Sequence, residues 1–350
     1  MMTQFKEKLQ IRDPLMERDW DQWLLNSRGY SVFHTSQWAK VMYLTYGFKC
    51  YYLSILDRDH FELLIPVMEV NSVLTGKRGI SLPFSDYCFP IYSPSMPVDQ
   101  IKEAVLGLGR EHAWDSIEFR GWEKLFPDAP VSSKYYRHTI DLTASEDELW
   151  KGLKKNFQRN IRKARKNQVT VQFGCEFDQV RAYFHLHCLT RKRQGVPPQP
   201  FKMFETIYQQ MIAEGNGTIA LACHQGTPVA GALYLHFGKQ AMYKFGAWDL
   251  RYNELRPNNL LWWEAFIRFK ELGFTECCLG KTDSWHKNLR QFKNGWNAKE
   301  EKLVYHQFNF KQDMFLDSCR ESPSFWFKVL RLCPVSCLRK IGEIFYKHAA

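Results

Sequence analysis

Polar side chains gather at the ends of extended stretches in the second half of this chain. Tyr243-Lys244-Phe245-Gly246-Ala247-Trp248 closes one stretch with a small pair that lets a ligand approach the backbone. Arg256-Pro257-Asn258-Asn259 opens the helix that follows, and free N–H groups at a helix start bind phosphate readily. Ordinary helix capping accounts for the same four residues. Gly280-Lys281-Thr282-Asp283-Ser284 follows the next stretch, and Phe292-Lys293-Asn294-Gly295-Trp296 sets a lysine just before a turn. Several loops converging at one edge of a sheet build a ligand site, with Trp248, Asn258, Lys281 and Phe292 as candidate substrate contacts.

A second concentration of chemistry is basic. Residues 145–168, SEDELWKGLKKNFQRNIRKARKNQ, open with a capping box in which Ser145 caps the helix and Glu148 reaches back. Leu149, Leu153, Phe157, Ile161 and Ala164 recur at helical spacing, which predicts one helix with one buried stripe. Lys151, Lys154, Lys155, Arg159, Arg162, Lys163, Arg165 and Lys166 cover the rest. A solvated face explains that density. So does a wall of phosphate-gripping cations, with Arg159 and Arg162 facing the site.

Other chemistries lack their residues. The sequence has no G-x-x-x-x-G-K-[ST] loop, no G-x-S-x-G elbow and no H-E-x-x-H helix. His185 and His187 fall two apart on a predicted helix, so their rings diverge and no metal site is expected. Nor does a Cys/His or Ser/His pair stand out as a covalent nucleophile. The ten cysteines include no C-x-x-C and read as reduced thiols.

The elements that position these residues read as α/β. The first half predicts helices over 13–46, a hairpin around Asp57–His60, a helix over 98–109, and strands over 116–120 and 135–142. The second half predicts helices over 177–194, 201–213, 257–272 and 286–294. Its strands are expected at 169–173, 217–224, 229–237, 240–247, 274–279 and 303–309. Both halves run helix, hairpin, extended segment, helix, short strand, which suggests tandem duplication. The expected boundaries are 1–143, 144–310 and a tail, 311–350.

Composition bounds the partners. A 45% hydrophobic content describes a globular chain, and a net charge of +11 favours polyanions: nucleic acid, phosphorylated ligands or an anionic membrane. The opening MMTQFKEKLQIRD has no apolar core of a secretory signal, and no run of about 18 apolar residues exists to span a bilayer. A cytoplasmic protein is expected.

The chain resembles the FemAB group of the GNAT acyltransferase superfamily. The resemblance rests on Trp150…Arg159-Asn160-Ile161-Arg162-Lys163-Ala164, Arg191-Lys192-Arg193-Gln194-Gly195 and Thr227-Pro228-Val229-Ala230-Gly231. It continues through Tyr243…Gly246-Ala247, Pro257…Leu260-Leu261-Trp262-Trp263, Leu279-Gly280 and Phe292-Lys293-Asn294-Gly295-Trp296. In the first half His34-Thr35-Ser36-Gln37-Trp38 and Pro83-Phe84-Ser85-Asp86-Tyr87 fit the same pattern, adding Trp38 and Asp86 as substrate contacts. The order of the motifs over about residues 30–310 carries it.

The resemblance implies two tandem GNAT-like domains, each a mixed sheet flanked by helices. It also implies direct transfer of an acyl or aminoacyl group onto an amine of a cell-envelope, peptidoglycan or polysaccharide precursor. No tightly bound cofactor is implied; the co-substrate is aminoacyl-tRNA, acyl-CoA or acyl carrier protein, and the acceptor is phosphorylated or lipid-linked. Lys293 is implied to steady the developing carbonyl charge or a donor phosphate, Tyr243 to carry a proton or fix the acceptor, and Arg159, Arg162 and Arg191 to hold phosphate of the acceptor or donor. Two departures stand out. The long helical hairpin of some bridge-forming members has no room here. The R/Q-x-x-G-x-G/A loop for coenzyme A would fall at Arg256-Pro257-Asn258-Asn259, which lacks its glycines. The alternative is a non-catalytic GNAT scaffold that binds RNA or anionic lipid.

In the tail, Trp326, Phe327, Val329, Leu330, Leu332, Val335, Leu338, Ile341, Ile344 and Phe345 alternate with Lys328, Arg331, Arg339, Lys340 and Lys347. Two short basic amphipathic helices broken by Pro334 fit this pattern. Residues 324–350 are expected either to lie on an anionic inner leaflet or to pack back on the first domain.

Overall fold

The computed structural model describes residues 2–317 and 329–349. They fall into two compact units. One holds residues up to 135 with 302–317 and 347–349, and the other holds 136–301 with 329–346. The division departs from expected boundaries at 143 and 310 because the long strand Lys299–Asn309 begins in the second unit and ends in the first. Of the expected tail, Trp326, Phe327 and Lys328 lie outside the described residues.

The first unit contains a four-stranded antiparallel sheet in the order Gln10–Arg12, Tyr52–Asp57, His60–Ile65, Ile91–Tyr92. Its hairpin turns at Arg58, in the left-handed region, with Asp57 paired to His60. A second set of strands runs Lys49–Cys50, Met68–Ser72, Gly76–Ile80, Ser116–Arg120 and the end of Lys299–Asn309. Gly76–Ile80 and Ser116–Arg120 are parallel, joined through the helix Val98–Glu111. The helices expected over 13–46 are Trp20–Asn26 and Ser36–Tyr46, the second capped by Thr35 and ended at Gly47, and Gln10–Arg12 ahead of them is a short strand.

In the second unit the strands run Val169–Gly174, Gly217–His224, Thr227–Phe237, Gln240–Trp248, Glu276–Asp283 and Ser133–Asp141, then the start of Lys299–Asn309. The first four are antiparallel, and Gln225 and Gly226, both at positive φ, make the two-residue turn of the central hairpin. Gln240–Trp248 and Glu276–Asp283 are parallel, and the helix Pro257–Glu271 crosses between them. Proline at its first position costs no hydrogen bond. The helix buries Leu260, Leu261, Trp262, Trp263, Phe266 and Phe269 in the core of this unit.

The basic stretch is two helices, not one. Glu146–Gly152 carries the expected capping box, with Glu148 N–H donating to Ser145 Oγ at 3.2 Å and Ser145 N–H to Glu148 Oε2 at 2.8 Å. Leu153 and Lys154 then turn extended, and Lys154 N–H donates to Gly295 O at 3.1 Å before Lys155–Lys166 resumes. Gly152 explains the break. It favours a helix less than other residues do, and a Cβ there would meet Asn297. The stripe survives the break, with Phe157, Ile161 and Ala164 buried.

Candidate active site

The parallel strands of the second unit pair only at their beginnings. Gln240 faces Glu276, Ala241 faces Cys277 and Met242 faces Cys278, and the register goes no further. From Tyr243 and Leu279 onward the two strands part. Parted strands leave backbone N–H and C=O groups to be satisfied by something other than each other.

Tyr243 stands at that parting. Its neighbour Lys244 is the extra residue of a bulge, because Leu233 pairs with Phe245 and Tyr234 with Tyr243. The bulge brings Tyr243 and Gly246 to one face, where the tyrosine hydroxyl occupies the space a Cβ on Gly246 would need. The half-buried ring packs 4.7 Å from Trp262, which lies 5.1 Å from Phe292, itself 5.4 Å from Phe157. Burial pushes the Tyr243 phenol above its usual value, against a hydrogen bond to Trp262. The hydroxyl is therefore a neutral donor at physiological pH.

On the other side of the parting is Lys293, only 3% exposed, in the helix Lys287–Asn294. Its Nζ donates to Gly280 O at 3.0 Å and Lys281 O at 3.1 Å. Consecutive carbonyls of a regular strand point opposite ways. Here both reach one ammonium because Gly280 sits at φ 72°, a conformation favouring glycine. Lys281 thus contributes its carbonyl to the site.

Glu300, which the sequence reading did not single out, fixes the lysine helix. It accepts from Arg290 Nε at 2.6 Å and Arg290 Nη2 at 2.5 Å, from Asn294 Nδ2 at 2.9 Å, and pairs with His138 Nε2 at 3.0 Å. Arg290 and Asn294 flank Lys293 one turn apart, so one carboxylate grips the helix on both sides of it. The Arg290 guanidinium and its other partners hold the Glu300 carboxyl down to about 2. Burial first, then the charge of Lys293, push His138 down to about 4, so it is a neutral imidazole at physiological pH. The signal available in sequence was Glu300 six residues after Asn294 and ten after Arg290. Such spacing across a turn carries no recognisable pattern.

The expected phosphate face divides. Asn160 Nδ2 donates to Asn259 Oδ1 at 3.4 Å, which sets the basic helix beside the start of Pro257–Glu271. Asn259 is buried, Asn258 half-buried, and Arg256 enters the helix at φ 58°. Arg159 and Arg162 are both exposed, and Arg162 lies 5.3 Å over the Trp150 ring. Trp248 is held by Thr190, whose Oγ1 accepts from its N–H at 3.0 Å and donates to its carbonyl at 3.2 Å. Arg193 stacks on the Trp248 ring at 4.1 Å.

Three expected contacts belong elsewhere. Trp38 is 0% exposed in the core of the first unit, packed on Phe33, so no ligand reaches its ring. Asp86 is half-buried in that unit, where its carbonyl accepts from Tyr305 OH at 2.6 Å. Arg191 is spent within the fold, donating to Pro197 O at 3.4 Å, Gln194 Oε1 at 3.2 Å and Tyr346 OH at 2.7 Å. Among the described residues no group of three or more His, Cys, Asp or Glu side chains could hold a metal ion.

Comparison with known proteins agrees on the fold. The family model described as "Acetyltransferase (GNAT) domain" matches residues 151–294, all within the second unit. The crystal structure of FemX matches with TM-score 0.67 at 12% identity, over 85% of this chain and 96% of that one. L-PGS from Bacillus licheniformis matches with TM-score 0.52 at 14% identity, over 89% and 94%. A tandem GNAT protein from the clavulanic acid biosynthesis pathway matches with TM-score 0.51 at 9% identity, over 87% and 94%. No curated protein matches the chain by sequence.

Proposed function

We propose that this chain, whose residues 151–294 match a GNAT acetyltransferase domain model and whose fold is similar to that of FemX, transfers an aminoacyl or acyl group onto an amine of a cell-envelope precursor. One observation carries the reading: the parallel strands separate after Met242 and Cys278, with Tyr243 and Lys293 on the two sides of the gap. Backbone groups freed there can bind an extended acyl or peptidyl segment by strand-like hydrogen bonds. A free amine attacks the donor carbonyl. Tyr243, kept neutral by its burial, donates to the developing charge or to the leaving group. Lys293 supplies a fixed positive charge beside the gap, which stabilises an oxyanion without any proton transfer.

Structural neighbours support an envelope acceptor. FemX and a protein named as a putative lysylphosphatidylglycerol synthetase share this fold, which supports a lipid-linked or peptidoglycan-type amine in the envelope. The donor is an aminoacyl-tRNA or an acyl thioester. Arg256-Pro257-Asn258-Asn259 has no glycine to bring backbone amides against a pyrophosphate, which favours the tRNA donor. The exposed cations of Lys155–Lys166, Arg159 and Arg162 among them, suit a phosphate backbone.

The test is direct. The purified chain is offered radiolabelled aminoacyl-tRNA, acetyl-CoA or long-chain acyl-CoA, each with amine-bearing envelope precursors. Label moves from one donor to one acceptor class, and Lys293→Met lowers kcat per folded molecule about a hundredfold, with the folded fraction read by circular dichroism below its melting temperature. If no donor loses its label to any acceptor, the chain is a binder on a GNAT scaffold and the transferase reading is wrong.

A further inference from the structure

The helix Val335–Phe345 is docked on the second unit by one face and bare on the other. Leu338 and Gly342 are buried, and Gly342 lies so close to Pro198 O that a Cβ would collide with that carbonyl. Tyr346 OH accepts from Arg191 at 2.7 Å and donates to Pro197 O at 3.3 Å, and Arg339 lies 5.4 Å over the Phe184 ring. These contacts fix which side faces outward. On that side Ile344 is 59% exposed and, just before the helix, Leu332 85%, while Phe345, seven residues after the buried Leu338, stays 49% exposed at the edge of the docked face. Cys337, Lys340, Ile344 and Lys347 follow one another at helical spacing along it, all exposed.

Charge says what covers this face. Residues 329–347 hold Arg331, Arg339, Lys340 and Lys347 against a single acid, Glu343. Bulky apolar side chains interleaved with cations on a helix held parallel to the protein surface match an anionic lipid headgroup layer, where the chains enter the acyl boundary and the cations meet phosphate. A nucleic acid would use the cations and leave Ile344, Phe345 and Leu332 in water. No helix among the described residues is long and apolar enough to cross a membrane, so the contact is one of lying on the surface.

We propose that residues 329–347 form a peripheral docking face for an anionic phospholipid bilayer. The surface does not depend on the transfer chemistry, so its test is independent of activity. The full chain is sedimented with vesicles of phosphatidylcholine alone or with about one third phosphatidylglycerol, at low and high salt. Wild type pellets with the anionic vesicles only, and salt releases it. Lys340→Glu with Lys347→Glu raises the dissociation constant at least about tenfold. Ile344→Ser with Phe345→Ser does so at low salt, by about the same factor. All four side chains are exposed, so the variants keep the fold, checked by their melting temperature. The proposal is overturned if wild type stays in the supernatant, if it binds neutral vesicles equally, or if both double variants bind as wild type does. It is equally overturned if the charge reversal abolishes tRNA binding and leaves vesicle binding intact.

Discussion

Both units contain a parallel strand pair bridged by a crossover helix, and in both a buried cation meets backbone carbonyls where the pair ends. In the first unit the cation is Arg120, 8% exposed, on the strand itself. The register through Ile80 and Glu118 is extended by Ser81 N–H to Glu118 O at 2.9 Å. The chain then doubles back through Leu82 and Phe84, both at positive φ, so that Arg120 Nη1 donates to Leu82 O and Ser85 O, each at 3.1 Å. Glu118 takes its Nε at 2.7 Å. That end is sealed. In the second unit the strands stop pairing after Met242 and Cys278, and the cation comes from a separate helix pinned by Glu300. A shared device therefore closes one pair and stands beside the parting of the other, which is the end proposed to take the substrate.

Removing each cation should break the comparison in different ways. Lys293→Met is expected to lower turnover about a hundredfold and, because it too strands two carbonyls, to lower the melting temperature by several degrees. Arg120→Met strands two carbonyls in the core of the first unit, at about 1–3 kcal/mol each, and should lower the melting temperature by several degrees. Its kcat per folded molecule should stay near wild type. If Arg120→Met lost turnover as completely as Lys293→Met at unchanged melting temperature, the two ends would not be functionally distinct.

Glu300→Gln ranks next, because it keeps the shape of the grip and removes its charge. Turnover should fall about tenfold with substrate KM little changed, since the lysine helix is loosened rather than lost. Acid should do the same to wild type. Glu300 is held at about 2, below the unfolded carboxyl value near 4.5, so its contribution is full above pH 4.5 and is lost as pH falls toward 2. His138, held neutral to about 4 against a usual value of 6.5, adds a loss as pH falls from 6.5 to 4, because the unfolded chain takes up that proton first. A urea-unfolding series from pH 7 to pH 4 should therefore flatten at its acid end in His138→Gln. An unchanged slope would remove His138 from the network.

What the sequence made legible was local. Proline at 257, glycine at 195 and the Ser145 capping box mark helix ends because each acts through its own backbone, and the structure keeps all three. The motif around Phe292-Lys293 singled out a lysine that the structure buries, but not its partners, because Gly280 and Lys281 offer carbonyls, which every residue has. Trp38 misled for a related reason. Its motif reads as a contact, yet the same aromatic ring packs a core just as well, and burial is decided by the fold. Gly152 was hidden inside a strong helical pattern. It took Asn297, far along the chain, to show why the helix stops there.

Gly246→Ala tests the open end without touching a charge. The new Cβ claims the space of the Tyr243 hydroxyl, so the ring must swing off Trp262 or the strand must shift. Turnover should fall severalfold while the cost in stability stays at about 1–3 kcal/mol, the usual result of overpacking. Tyr243→Phe should match its turnover loss and leave stability nearly unchanged. If Tyr243→Phe is as active as wild type, the hydroxyl does not take part.

The smallest effect belongs to the basic helix. Arg159 and Arg162 are exposed, and Arg162 rests on Trp150 rather than on any group at the parting of the strands. Reversing both to Glu cannot disturb the buried stripe of Phe157, Ile161 and Ala164, so the melting temperature should hold. If the helix guides a phosphate backbone toward the helix start at Asn258 and Asn259, KM for the phosphorylated donor should rise about threefold to tenfold. The effect should shrink as salt is added, and kcat should not move. A KM indifferent to both the reversal and the salt would make this face solvated surface, and would leave the open strand pair as the whole of the site.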